Sequence, residues 1–168
     1  FASKRAPFRM EVEELMRAST PVLVDGAEAR VLSPAHQLLH LCTHLAYNDG
    51  FGVCLSRLSD LHEVVERHRD HLDWDALAAA ARRFRASLCL RYSLAVASAL
   101  FGTGLPAGFL EGASDQPLRP ALAEAALLRV LANDRDPAPL SSTLAKLVST
   151  DRAGPRALLR LLFPRPRQ

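Results

Sequence analysis

The sequence predicts an α+β fold that is predominantly helical: a short β-hairpin followed by a helical bundle of five to seven helices. Three observations lead there. Asp25-Gly26 sits between two β-prone runs, Pro21–Val24 and Ala27–Leu32, and Asp-Gly in that setting is a strong hairpin signal. From Pro34 onward, apolar residues recur at helical spacing. No second strand pair is evident, so the hairpin needs a layer to lie on, either these helices or a sheet preceding Phe1.

The elements follow in order. Residues 8–18 read as a short amphipathic helix with Val12, Leu15 and Met16 on one side. After the hairpin, Ser33 is an N-cap and Pro34 suits the first helical position. That helix runs to about Tyr47, where Asn48-Asp49-Gly50 stops it; Leu38, Leu39, Cys42, Leu45 and Ala46 form its apolar face. A second helix, from about Val53 to His68, is expected to bury Leu55, Leu58, Leu61 and Val65. Asp73 caps a third, which turns Trp74, Leu77, Ala78 and Ala81 inward. A fourth spans about Arg85 to Phe101 and buries Leu88, Tyr92, Ala95, Val96 and Ala99 until Gly102-Thr-Gly-Leu-Pro106 ends it. Residues 107–117 form a linker with one turn of helix, and Arg119–Asn133 a fifth helix. Shorter helices are expected over 140–149 and 155–162. The domain division is 1–32 (helix and hairpin), 33–106 (helical core) and 107–168 (helical extension).

Composition narrows the function classes. With 168 residues, 49% hydrophobic and 23% charged, the chain is long enough for a real core and is globular rather than disordered. A net charge of +3, with bases dispersed among 18 acids, gives no strong nucleic-acid signal. The local excess is five arginines between Arg152 and Arg167 with no acid, which reads as a solvated basic end. Cys42, Cys54 and Cys89 form no Cys-x-x-Cys pair, and Cys42 and Cys89 lie in apolar helices, so a reducing, cytoplasmic setting is expected. Phe1–Arg17 has no apolar core of a signal peptide, and no apolar run reaches the ~18 residues of a membrane span.

Candidate chemistry centres on His36, His40 and His44, spaced four apart opposite the apolar face of their helix. His40 and His44 could share a metal, but a zinc site needs a third ligand, and no His-Glu-x-x-His is present. A hydrogen-bonded polar stripe facing a second layer is the simpler reading, and no metal site is expected. Arg57 and His62 match the Arg-x4-His spacing of a helical RNase family, yet five helical residues separate side chains by about 140°. Arg57 and Asp60 are three apart and are expected to pair.

Taken in sequence, Val31-Leu-Ser-Pro34, Leu38-Leu-His-Leu-Cys-x-His-Leu45, Asp60-Leu61, Asp73-Trp-Asp75 and Leu100-Phe-Gly-Thr-Gly-Leu-Pro106 resemble the uncharacterised nucleotidyltransferase family, within the polymerase-β-like nucleotidyltransferase superfamily. The likeness covers residues 20 to 106, and Leu158–Pro164 resembles the family's closing helix. It implies transfer of a nucleoside monophosphate from NTP to a hydroxyl, with Mg²⁺ held by an Asp-x-Asp pair and a third carboxylate beside a Gly-Ser turn on a sheet. No such turn precedes residue 31, and the Asp-x-Asp matches, Asp73-Trp-Asp75 and Asp134-Arg-Asp136, fall at a helix start and in a loop. The expectation is therefore the family's C-terminal helical portion only, with no catalytic residue, no metal site and no cofactor of its own. Mg²⁺ and NTP belong to the intact protein, and the partner is an upstream palm. His40, His44, Arg57 and Asp60 are the candidate substrate-binding residues. The alternative is a non-catalytic helical module that binds a partner protein.

Overall fold

A computed structural model describes residues 8–52 and 55–132. It contains α1 (Val12–Arg17), β1 (Thr20–Val24), β2 (Ala27–Val31), α2 (Pro34–Thr43), a π-helical turn (His44–Asn48), α3 (Leu55–His68), α4 (Trp74–Arg83), α5 (Ser87–Phe101), α6 (Phe109–Gly112) and α7 (Pro120–Ala132). The fold is α+β and predominantly α. The expected helices over 140–149 and 155–162, the closing helix, the arginine-rich end and Cys54 lie outside the described residues.

The hairpin has the register its turn demands. Asp25 (φ 51°) and Gly26 (φ 80°) are both left-handed, as a two-residue type I′ turn requires, and Val24 faces Ala27 across it. Its apolar surface is not buried, however. Leu23 is 74% exposed, Val24 and Val31 are exposed, and only Val22 and Ala29 are half-covered. Anchorage comes from Arg30 instead: Nε donates to Ser19 Oγ (2.7 Å), and Nη2 donates to the carbonyls of Ser19 (2.7 Å) and Met16 (3.2 Å). Likewise α1 buries no residue. Val12 and Met16 are exposed, so the amphipathic face expected there covers no core.

Helix α2 starts as read. Ser33 Oγ accepts from the His36 N–H (3.5 Å), and Pro34 occupies the first turn. Leu38, Leu39, Cys42, Leu45 and Ala46 are all fully buried. They pack on α5, which is enclosed on nearly every side: ten of its fifteen residues are buried, including Cys89, Leu90, Arg91, Ser93, Leu94 and Ala97, none of them among the core positions named from the helical period. Ala99 is exposed and Ala95 half-buried, contrary to expectation. Arg85 is left-handed (φ 58°), so α5 begins at Ser87 rather than at Arg85. Because α5 is buried all round, a single-stripe reading underestimates it.

The remaining helices surround α5. Helix α3 buries Leu58, Leu61 and Val65, but Leu55 is 52% exposed because it lies on the outer side of the first turn. Helix α4 buries Leu77, Ala78, Ala80 and Ala81, capped by Asp73, whose Oδ1 accepts from the Ala76 N–H (2.8 Å). Trp74 is only half-buried, edge-on to Phe109. Gly102 (φ 67°) closes α5 in the left-handed cap that glycine favours. At Gly104 a Cβ would meet the exposed Arg69 guanidinium at 2.5 Å, so a larger residue there would displace that side chain just beyond the end of α3. The Gly104 N–H donates to Glu66 Oε1 (3.1 Å) there. Helix α7 packs on α5 through Ala126 and Val130. Buried in this core, the Cys42 thiol is pushed up to about 12, so it stays protonated at neutral pH.

Leu39→Ala should cost about 2–5 kcal/mol of folding stability, since it empties a fully buried site. Asp73→Ala should cost about 1 kcal/mol through its cap. Leu23→Thr, on the exposed hairpin, should change stability by less than about 0.5 kcal/mol. Urea unfolding of the three variants checks the order; equal losses at Leu23 and Leu39 would contradict the burial described.

Candidate functional site

The last turn of α2 does not end at its α-helical limit. It widens into the π-turn, closed by the Asp49 N–H bonding back five residues to the His44 carbonyl (3.1 Å). Such turns are rare and often occur where function requires a local distortion. The chain then folds inward through Gly50, Phe51 and Gly52, all buried. Arg129 of α7 clamps this loop, its Nε donating to the Gly50 carbonyl (2.9 Å).

This geometry gathers a polar cluster where the π-turn meets the start of α3. The His40 and His44 rings lie 4.6 Å apart, tilted by 56°. Arg57 Nη1 sits 2.8 Å from Asp49 Oδ2 and donates to His44 Nδ1 at 3.5 Å. Asn48 Nδ2 approaches the same His44 nitrogen at 3.0 Å. A guanidinium has no acceptor, so His44 Nδ1 presents its lone pair and Nε2 carries the proton. The Arg57 side chain is 44% exposed against 15% for Asp49; the pair is therefore worth at most about 1 kcal/mol in stability. It fixes the direction of a cation at the surface more than it holds the fold together.

Three of the four candidate residues, His40, His44 and Arg57, thus come together. Asp60 does not join them. It is exposed, and Arg57 reaches back to Asp49 rather than forward to Asp60, so the expected pairing of Arg57 with Asp60 is replaced. Asp49 and Asn48 belong to the cluster and were legible only as a helix stop. His62 is separate: its Nδ1 bonds Thr103 Oγ1 (2.9 Å) and its ring lies 5.5 Å from that of Phe101, so it does not converge with Arg57.

His36 leaves the stripe altogether. It is buried, with Nδ1 2.8 Å from Ser33 Oγ, Nε2 3.9 Å from Glu14 Oε1 and its ring 6.0 Å from that of Phe84. Glu14 also pairs with Arg83, so this carboxylate ties α1 to both α2 and α4. Among the described residues, no group of three His, Cys, Asp or Glu side chains could hold a metal ion. Asp73 is engaged as a cap and Asp75 is exposed in the first turn of α4, so this pair does not fit the carboxylate set that two-metal chemistry needs.

Burial is the first cause that lowers the His36 pKa from its ordinary value of 6.5; Glu14 opposes this and Arg83 adds to it. His40 is lowered by burial first and by His44 second. Both folded values lie below the unfolded one. The unfolded chain therefore binds protons first as pH falls, and stability present above about pH 6.5 is lost as pH drops through the folded values. Urea midpoints should fall between pH 8 and pH 5, and a His36→Gln/His40→Gln variant should show a shallower fall. An unchanged slope in that variant would assign the acid sensitivity elsewhere.

No curated protein and no solved structure matches the chain. A family model does, described as uncharacterised nucleotidyltransferase, over residues 1–102. The match takes in α1, the hairpin and the π-turn cluster; the expectation of the family's C-terminal portion only is not borne out by it. Covering more than half of the sequence and all of the candidate residues, it shows that the chain belongs to the uncharacterised nucleotidyltransferase family.

Proposed function

We propose that the described residues form the acceptor-side helical portion of a nucleotidyltransferase. In the intact protein the reaction is transfer of a nucleoside monophosphate from NTP to a hydroxyl acceptor. The carboxylates for Mg²⁺ and the turn for the triphosphate are supplied by residues other than those described. The observation that carries this reading is the cluster of His40, His44, Asp49 and Arg57 inside the family-matched residues. Asp49 aims the Arg57 guanidinium, and His44 offers an Nε2 proton beside it. Together they suit recognition of an acceptor that carries a phosphate or carboxylate near its reactive hydroxyl.

A second reading is a non-catalytic helical module that binds a partner protein. The exposed Leu23, Val24 and Val31 on the hairpin favour it. The reading frame preceding residue 1 separates the two. A Gly-Ser turn followed by Asp-x-Asp on a strand supports the transferase, and a start codon at that point supports the module.

In a transfer assay with the intact protein, Arg57→Ala should raise the acceptor KM about tenfold or more and leave the NTP KM unchanged. Asp60→Ala tests the fourth candidate: full acceptor affinity in that variant removes Asp60 from the site. Robust nucleotide transfer by the 168-residue chain by itself would overturn the division of labour proposed here.

A further inference from the structure

Among the described residues the hairpin is a sheet of two strands, so each strand has one edge that faces no other strand. The register decides which groups lie on those edges. Val24 and Ala27 flank the two-residue turn and exchange backbone hydrogen bonds, and such bonded pairs alternate with unbonded ones along an antiparallel ladder. Val22–Ala29 and Thr20–Val31 are therefore the other bonded pairs. The backbone groups of Pro21 and Leu23 on β1, and of Glu28 and Arg30 on β2, point outward. Pro21 has no N–H to offer, so it blunts the β1 edge. The β2 edge has no such block. Glu28 and Arg30 are exposed, and their backbones bond no described residue beyond the hairpin.

Strand β2 is also complementary to itself. When two copies run antiparallel with Ala29 facing Ala29, Glu28 of each copy stands opposite Arg30 of the other. These residues have outward backbone groups, so each pair exchanges two hydrogen bonds, about four in all. Shifting this register by one pair in either direction sets Glu28 against Glu28 or Arg30 against Arg30, and like charges directly opposite are unfavourable. The charges thus admit one register and reject its neighbours. Both are available. Glu28 makes no hydrogen bond or ion pair with another described residue, and Arg30 uses Nε and Nη2 at Ser19 and Met16, leaving Nη1.

We propose that the outer edge of β2 pairs with β2 of a second copy of this chain, making a four-stranded sheet in the order β1-β2-β2-β1. The two-fold axis is perpendicular to the sheet, so the faces bearing Val22, Val24, Ala27, Ala29 and Val31 in the two copies join into one. The helical bodies leave at opposite ends. Two strands alone are marginal, and three or more with a hydrophobic face are not. The pairing depends on neither reading of the chain's function.

Sedimentation of the 168-residue chain should show a monomer–dimer equilibrium with a Kd on the order of 0.1 mM, the weak class that a small contact gives. Glu28→Pro removes an N–H that points outward, so it spares the ladder to β1 and deletes half of the bonds between copies. It should weaken association about tenfold or more. Glu28→Arg sets guanidinium groups opposite one another and should weaken association several-fold; it decides the matter if circular dichroism shows the proline variant unfolded. Leu23→Thr, on the outer strand, should leave association unchanged. In the unbonded pair the Ala29 Cα atoms lie about 4.5 Å apart, within disulfide range, so Ala29→Cys should cross-link copies under mild oxidation and Leu23→Cys should not. A chain that stays monomeric up to about 1 mM would overturn the proposal. So would undiminished association in Glu28→Pro or Glu28→Arg, its loss in Leu23→Thr, or equal cross-linking of the two cysteine variants.

Discussion

Ten buried residues in the fifteen of α5 leave that helix almost no surface for water, and the other helices take their places from this constraint. Each fully buried leucine or valine contributes roughly 1.5–3 kcal/mol, so the greatest stabilisation comes from surrounding α5 with apolar stripes. Helices α2, α3, α4 and α7 provide those stripes. The polar groups that α5 carries inside must still be satisfied. Ser93 Oγ donates to the Cys42 carbonyl (3.3 Å), Arg91 donates to the Gln116 carbonyl, and Tyr92 Oη accepts from the Arg119 N–H (3.2 Å). The last two act at a distance from the apolar contacts. They hold the segment between α6 and α7 against α5 and so direct the entry of α7.

The same constraint produces the polar cluster. With Leu38, Leu39, Cys42, Leu45 and Ala46 committed to α5, the side of α2 that bears His40 and His44 must face outward. A normal helix end would then leave these rings isolated on a surface. The π-turn instead carries the backbone on to Asp49, while Phe51 turns into the core and brings the start of α3 close behind. Arg57 consequently lands between Asp49 and His44. Apolar burial thus sets the position of the cluster, and the ion pair sets only the orientation of its cation.

Where a residue pattern states a local geometric demand, the fold was legible. Asp25-Gly26 requires two left-handed residues, and Ser33-Pro34 and Asp73 supply caps; all three appear as read. The period of α2 also carried over, because one of its faces is apolar and the other polar. For α5 the period carries little information. A helix buried all round has apolar residues at every phase, and Ala99 cannot be told from Ala97 by spacing. In the candidate site, His40, His44 and Arg57 were nameable as residue types. The contact of Arg57 with Asp49 was not, since it depends on a widened turn that leaves no side-chain signature. A three-residue helical spacing pointed to Asp60, and the tertiary geometry chose a different acid.

The hairpin obeys a different physics from the helical body. Two strands bury too little to be stable by themselves, and here most of the apolar hairpin side chains stay in water. Its conformation is instead set at its two ends. The type I′ turn matches the natural twist of the strands at the tip, and the three hydrogen bonds of Arg30 grip the Met16 carbonyl in α1 and the Ser19 carbonyl and hydroxyl after it at the base. Such an arm is oriented by directional hydrogen bonds rather than by packing, so its outer surface is free of any role in the core. Val24 and Val31 can therefore be apolar and exposed without a cost to the helices, and their side chains answer to whatever the arm meets rather than to the fold that carries it.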